Sequence, residues 1–310
     1  MSNTFHPDFI DYFTRAAANY PPPSKVWSAH ESRELHRFLA SKIGPARPMQ
    51  TRDFTIPAAH PVPARLYTPD FPGPLPLFLF IHGGGWHGGD LDTHEVLCRE
   101  IAHGAKCLVV AIDYRLAPEH KFPAGFEDAL AASEYCLTHA KELGADPDRV
   151  AIGGDSAGGN FTAAAMVALR DRGSKLPILQ VLIYPATDFR MVTPAYSNHS
   201  GFGTSPEDFE KIFPVYFNDP DTEKLDPRAS PIISNLHGLP PAFVTTSEID
   251  LLRDDGEAYA LALMQAGVPV QMRRYLGHPH GFLSLPLDVG CTVAGIADVC
   301  TALRQAFEQK

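Results

Sequence analysis

The chain has 310 residues, 45% of them hydrophobic, which is enough to bury a large core in one large domain with an appendage or in two modest domains. Its formal charge of -10 comes without any basic cluster, so nothing in the sequence favours nucleic acid or an anionic membrane surface, and small neutral partners are expected. Five cysteines at irregular spacing, an N-terminus without a signal-like basic and apolar run, and no bilayer-length apolar stretch predict buried reduced thiols, a cytoplasmic setting and no membrane insertion.

Residues 1 to 45 carry Phe5, Phe9, Tyr12 and Phe13, then Pro21-Pro22-Pro23, then a polar helix-like stretch from Glu31 to Ala40. The prolines break any helix, so two short elements with a stiff joint are expected. The aromatics predict that the first element packs onto another part of the chain. From Thr51 the sequence turns β-rich, with runs at residues 54 to 56 and 64 to 67 and then L-F-L-F-I at Leu77 to Ile81. A continuous apolar run of that kind suits a strand buried on both faces. His82-Gly83-Gly84-Gly85-Trp86 comes next, followed by an amphipathic segment from Thr93 to His103 and a second buried-strand run from Cys107 to Ile112. Asp113 to His120, reading D-Y-R-L-A-P-E-H, leads into a helical pattern from Ala124 to Leu143 that stops at Gly144.

Val150 to Asn160 reads V-A-I-G-G-D-S-A-G-G-N, an apolar run that ends in glycines and passes into a small-residue helix lasting until Gly173. Strand-like runs follow at residues 179 to 184, 242 to 246 and 270 to 275, with helical patterns at 253 to 267 and 291 to 307. This alternation predicts an α/β fold with a mostly parallel, eight-stranded sheet covered by helices on both faces. Residues 188 to 230 interrupt it with Phe189, Tyr196, Phe202, Phe209, Phe213, Tyr216 and Phe217 among prolines and acids. They are expected to form a cap insertion over the sheet's carboxyl end, joined by residues 1 to 45, on a core of residues 46 to 187 and 231 to 310.

In strand-turn-helix context, Gly154-Asp155-Ser156-Ala157-Gly158 places Ser156 at the apex of a tight turn whose small neighbours let it close. A serine hydroxyl attacks an acyl carbon only with a base to take its proton and donors to meet the oxyanion. The glycine loop Gly83, Gly84 and Gly85, directly after the L-F-L-F-I strand, can present backbone N–H groups for the second task. That loop also matches G-x-G-x-x-G through Gly83, Gly85 and Gly88, with Asp113 as the acid of a dinucleotide site. The match falls on the third strand, however, and leaves Ser156 without a purpose. For the first task, Asp250 follows one late strand and either His278 or His280 follows the next, in the chain order Ser, Asp, His. Asp254 and Asp255 are expected to be acids in the first turn of the next helix, where the macrodipole favours them. His278 and His280 lie two residues apart, and spacing alone does not choose between them. His30-Glu31 and His36 do not make H-E-x-x-H, and no metal or cofactor is expected. Asn160-Phe161-Thr162 and Asn198-His199-Ser200 match a glycosylation pattern and are expected to be chance matches.

Four motifs together, H-G-G-G-W at His82 to Trp86, D-Y-R-L-A-P-E-H at Asp113 to His120, G-D-S-A-G-G at Gly154 to Gly159 and H-G-F at His280 to Phe282, carry a specific resemblance. Over about residues 50 to 310 the chain resembles the hormone-sensitive lipase-like esterases, bacterial family IV carboxylesterases of the α/β-hydrolase superfamily. The resemblance implies Ser156 as nucleophile, His280 as base, Asp250 as its orienting acid, and Gly84, Gly85 and Ala157 as oxyanion donors. Where the family usually has proline, this chain has Leu251, so a slightly freer loop is expected beside Asp250. A cytoplasmic serine carboxylesterase acting on small neutral esters with short to medium acyl chains is the expected function. An amidase or deacetylase with the same triad, a lipase, and a non-catalytic ligand receptor of hydrolase fold are the alternatives. The sequence leaves the oligomeric state open, a homodimer included.

Overall fold

A computed structural model describes residues 5–19, 28–198 and 205–308. Pro21, Pro22, Pro23, Phe202, His199 and Ser200 lie outside the described residues. The strands are β1 (Gln50–Ile56), β2 (Val62–Thr68), β3 (Leu75–Ile81), β4 (Leu108–Ile112), β5 (Ala145–Asp155), β6 (Leu179–Ile183), β7 (Ala242–Ile249) and β8 (Val270–Pro279). They form one sheet in the order β1-β2-β4-β3-β5-β6-β7-β8. Only β2 pairs antiparallel, with β1 and β4; the other pairings are parallel, as the alternation of strands and helices requires.

Two helices, α1 (Pro7–Asn19) and α2 (Ala29–Ala40), precede the sheet. Ser28 starts α2 with a reciprocal cap: its Oγ accepts the Glu31 N–H at 3.2 Å and donates to Glu31 Oε2 at 2.9 Å. Within the core, α3 (Glu95–Ala105), α4 (Ala124–His139) and α5 (Ala157–Asp171) come next. Four short helices, α6 (Pro194–Asn198), α7 (Pro206–Glu210), α8 (Phe213–Tyr216) and α9 (Pro220–Glu223), lie in the insertion, before α10 (Arg253–Gln265) and α11 (Gly290–Glu308). Among the described residues no helix is long and apolar enough to cross a membrane.

The period-two alternation of the strands divides the core. Leu77, Leu79, Ile81, Val110 and Ile152 face α4, α5 and α10, whereas Phe78, Phe80, Val109, Ala151 and Val181 face α1, α3 and α11. Each such Leu, Ile, Val or Phe side chain, taken fully out of water, contributes roughly 1.5–3 kcal/mol, so the central strands are fixed from both sides. The insertion's aromatics gather over the glycine loop: the Trp86 ring lies 4.7 Å from Phe189 and 5.1 Å from Tyr216. Among the described residues, Phe9 and Tyr12 are not part of that cluster. Phe9 and Tyr12 belong to the cluster on the opposite face of the sheet, with Phe9 against His278 at 4.9 Å and Phe282 at 6.4 Å. It is α2 that reaches the glycine loop, through Arg33, whose guanidinium donates to His87 O and Ala117 O, both at 2.7 Å.

Candidate active site

At the carboxyl end of β5 the chain reverses into α5 through Ser156, whose backbone sits at φ 54 and ψ -114. A non-glycine residue held there costs on the order of 1–3 kcal/mol, which the surroundings must impose. They do so by close approach: a Cβ at Gly158 would lie 1.9 Å from Ile81 O, and one at Gly154 2.2 Å from the same atom. Only hydrogen fits between the elbow and β3. Gly158→Ala is therefore expected to destabilise the fold by about 3 kcal/mol or more, read as a fall in the urea midpoint of unfolding. An unchanged midpoint would show that β3 can move away.

The strain leaves the Ser156 side chain above the sheet, where it meets groups from two other strands. His280, after β8, places Nε2 2.9 Å from Ser156 Oγ, and its Nδ1 lies 2.7 Å from Asp250 Oδ2, after β7. Asp250 is buried, and its other oxygen accepts the Leu252 N–H at 2.9 Å. The loop expected to be freer for lack of proline is thus tied by the aspartate itself, and Leu251 and Leu252 are both buried in the core. Burial pulls the His280 imidazole down, but the charge and hydrogen bond of Asp250 outweigh it, so its pKa lies above the ordinary histidine value. His278 is not in this constellation. Its Nδ1 faces Leu276 O at 2.8 Å and its ring packs between Phe9 and Phe282.

The glycine loop divides by where its N–H groups point. Gly83 donates to Asp155 Oδ1 at 2.7 Å, which removes it from the expected oxyanion donors. Among the described residues the N–H groups of Gly84, Gly85 and Ala157 meet no hydrogen-bond acceptor. Such donors are costly to bury unpaired, so an acceptor presented near Ser156 would be welcome there. Gly84 sits at φ 122 with Gly88 O only 2.2 Å from where a Cβ would be, so no other residue can make this turn. The dinucleotide alternative fails on placement, because the next helix, α3, begins at Glu95, well past Gly88, and the fingerprint needs its N-terminus at the loop.

Behind the loop lies a polar layer that the motifs do not reveal. Asp155 is buried, where desolvation alone would raise its pKa. The charge and hydrogen bond of His94, 3.5 Å away, and the Gly83 N–H hold it below the usual carboxylate range. Burial pushes His82, stacked on Tyr114 at 4.2 Å, down to about 4, so it stays neutral. Asn160 is also buried, donating to Ala186 O and Ala229 O and accepting from Trp86 Nε1, which leaves no access for a glycan. These partners lie up to 74 positions apart, and no local spacing announces them.

Asp255 departs from expectation. It lies in the first turn of α10, but its carboxyl is buried and accepts the Tyr196 hydroxyl at 2.8 Å and the Thr193 hydroxyl at 3.0 Å, both from the insertion. Burial raises its pKa to about 8 against the pull of those two hydroxyls. The protonated form is favoured by folding, so its contribution is fully present below the ordinary aspartate value. It is lost progressively until the pH passes about 8. Asp255→Asn, which stays neutral, is expected to flatten the fall in Tm between pH 5 and pH 9. Parallel Tm curves for parent and variant would show that this carboxyl is already ionised in the fold.

A family model described as alpha/beta hydrolase fold matches residues 78–284. The carboxylic ester hydrolase LipN of Mycobacterium tuberculosis is 45% identical over 270 residues, covering 84% of this chain and 72% of its own. Ethyl acetate hydrolase of Pseudomonas putida is 34% identical over 91% of this chain and 92% of its own length. Among solved structures, a thermostable esterase from Pseudomonas putida has a TM-score of 0.93 at 29% identity, with 100% of both chains covered. Identity of this size, spread over most of the chain and over the same sheet, is inheritance rather than chance, and the chain belongs to the hormone-sensitive lipase-like carboxylic ester hydrolases of the α/β-hydrolase fold.

Proposed function

We propose that the protein is a serine carboxylesterase that hydrolyses small, uncharged esters with short to medium acyl chains through an acyl-enzyme. The observation that carries this is the unbroken relay from Ser156 Oγ through His280 to Asp250, at 2.9 and 2.7 Å. His280 takes the serine proton as Oγ attacks the carbonyl carbon, and Asp250 holds the imidazole and stabilises it once charged. The N–H groups of Gly84, Gly85 and Ala157 receive the oxyanion, each worth on the order of 3 kcal/mol in the transition state. His280 returns its proton to the leaving alcohol, and a water repeats the sequence on the acyl-enzyme. Residues 188 to 230 act as the cap. Its packed aromatics around Trp86 support a short acyl pocket, as does the relative named for ethyl acetate. Five buried free thiols support a reducing, cytoplasmic setting.

A panel of p-nitrophenyl esters tests the substrate class. The butyrate ester is expected to exceed the palmitate in kcat/KM by at least about tenfold; a palmitate preference would overturn the short-chain assignment and favour a lipase. Failure of a fluorophosphonate to label Ser156 would favour the non-catalytic receptor. Because the neutral imidazole is the base and its pKa is raised, kcat/KM should climb with pH through one ionisation above the ordinary histidine value and stay high beyond it. A midpoint below that value would mean that Asp250 does not hold the charged ring.

A further inference from the structure

Outside this centre, three side chains of different chemistry converge where the start of α1 meets the start of α11. His6 Nδ1 lies 3.1 Å from Cys291 Sγ and 3.6 Å from Asp8 Oδ1, and one ligand-type atom from each residue lies within 4.8 Å of the others. We propose that His6, Asp8 and Cys291 form a binding site for a single zinc-class divalent cation that staples the first helix to the last. Imidazole nitrogen, carboxylate oxygen and thiolate sulfur are the ligand types such cations take, and tetrahedral bonds of about 2.1 and 2.3 Å place nitrogen and sulfur about 3.6 Å apart. The nitrogen–sulfur pair, at 3.1 Å, needs to open by only about half an ångström to accept the ion.

The ligands are already positioned. The His6 N–H donates to Gly277 O at 3.0 Å, and Asp8 Oδ2 accepts the Cys291 N–H at 3.1 Å, leaving Oδ1 toward His6. Cys291 is buried, whereas the His6 and Asp8 side chains are 43% and 36% exposed, so the ion has an entry path and water can supply a fourth ligand. No electron transfer is involved: the sulfur–metal bond forms as the thiol proton leaves to solvent. The bound ion would fasten α1 beside Gly277 and His278, in the segment that leads to His280. His6 and His278 already have ring centroids 5.8 Å apart.

Chelator-treated, dialysed protein titrated with ZnCl2, and separately with CdCl2, tests the site. One equivalent of either metal should bind and raise Tm, and cadmium should give an ultraviolet thiolate charge-transfer band. Both His6→Ala and Cys291→Ser should abolish these signals, and Asp8→Asn should weaken binding at least tenfold. All three variants should still take a fluorophosphonate label as a check of folding. No binding by the parent, or binding that the variants leave unchanged, would overturn the site and leave the cluster as a thiol-to-imidazole hydrogen bond beside a helix cap.

Discussion

Ser156→Ala is expected to lower kcat toward p-nitrophenyl butyrate by at least about ten-thousandfold, because it removes the hydroxyl that the His280–Asp250 pair is placed to activate. The loss should be confined to chemistry. Alanine occupies the same strained backbone at φ 54 with no larger a side chain, and among the described residues only one hydrogen bond, to His280 Nε2 at 2.9 Å, disappears. Stability should therefore stay within about 1 kcal/mol of the parent. The variant should also fail to take a fluorophosphonate. Activity within tenfold of the parent would sink the assignment of Ser156 as nucleophile and would point to a different site.

For Asp250→Asn, kcat should fall by roughly ten-thousandfold with KM little changed, since an amide can keep the fold but not the tautomer. The asparagine oxygen can still accept the Leu252 N–H that Asp250 Oδ1 accepts at 2.9 Å, so the loop should hold. Its NH2 would then face His280 Nδ1, forcing the imidazole proton onto Nε2, where it blocks deprotonation of Ser156. A second readout separates this from simple misfolding. The Asp250 charge raises the His280 pKa, so the residual activity should show its acid limb at lower pH than the parent's. An unmoved limb, or a kcat within tenfold of the parent, would mean that Asp250 neither orients nor charges the ring.

Much of the molecule was legible from local pattern. The run L-F-L-F-I gives a strand buried on both faces because every second side chain of β3 enters a different half of the core. Glycines beside Ser156 foretell a tight elbow, and the structure supplies the reason in Ile81 O, which leaves no room for a Cβ at Gly154 or Gly158. Other features were not legible. Gly83 belongs to the same glycine run as Gly84, yet its N–H is taken by Asp155, which also meets His94 at the N-cap of α3. Asp255 follows the pattern of a solvated first-turn acid, and only the docking of Tyr196 and Thr193 buries it. Likewise, the N-terminal aromatics fit a cap by composition, but α1 lies on the face of the sheet opposite the insertion's aromatics.

By itself the sequence determined the order and type of the strands and long helices, the elbow at Ser156 and the family, because these depend on periodicity, on glycine's freedom and on residues adjacent in the chain. Spacing left His278 and His280 open until the H-G-F motif pointed to His280, whose ring meets Ser156 in the folded chain; only the tertiary structure decided which glycine N–H groups stay unpaired and that His6, Asp8 and Cys291 meet. Each of these is a contact between segments brought together by packing, with 124 positions separating Ser156 from His280 and 285 separating His6 from Cys291, and no local rule encodes side-chain direction across such distances.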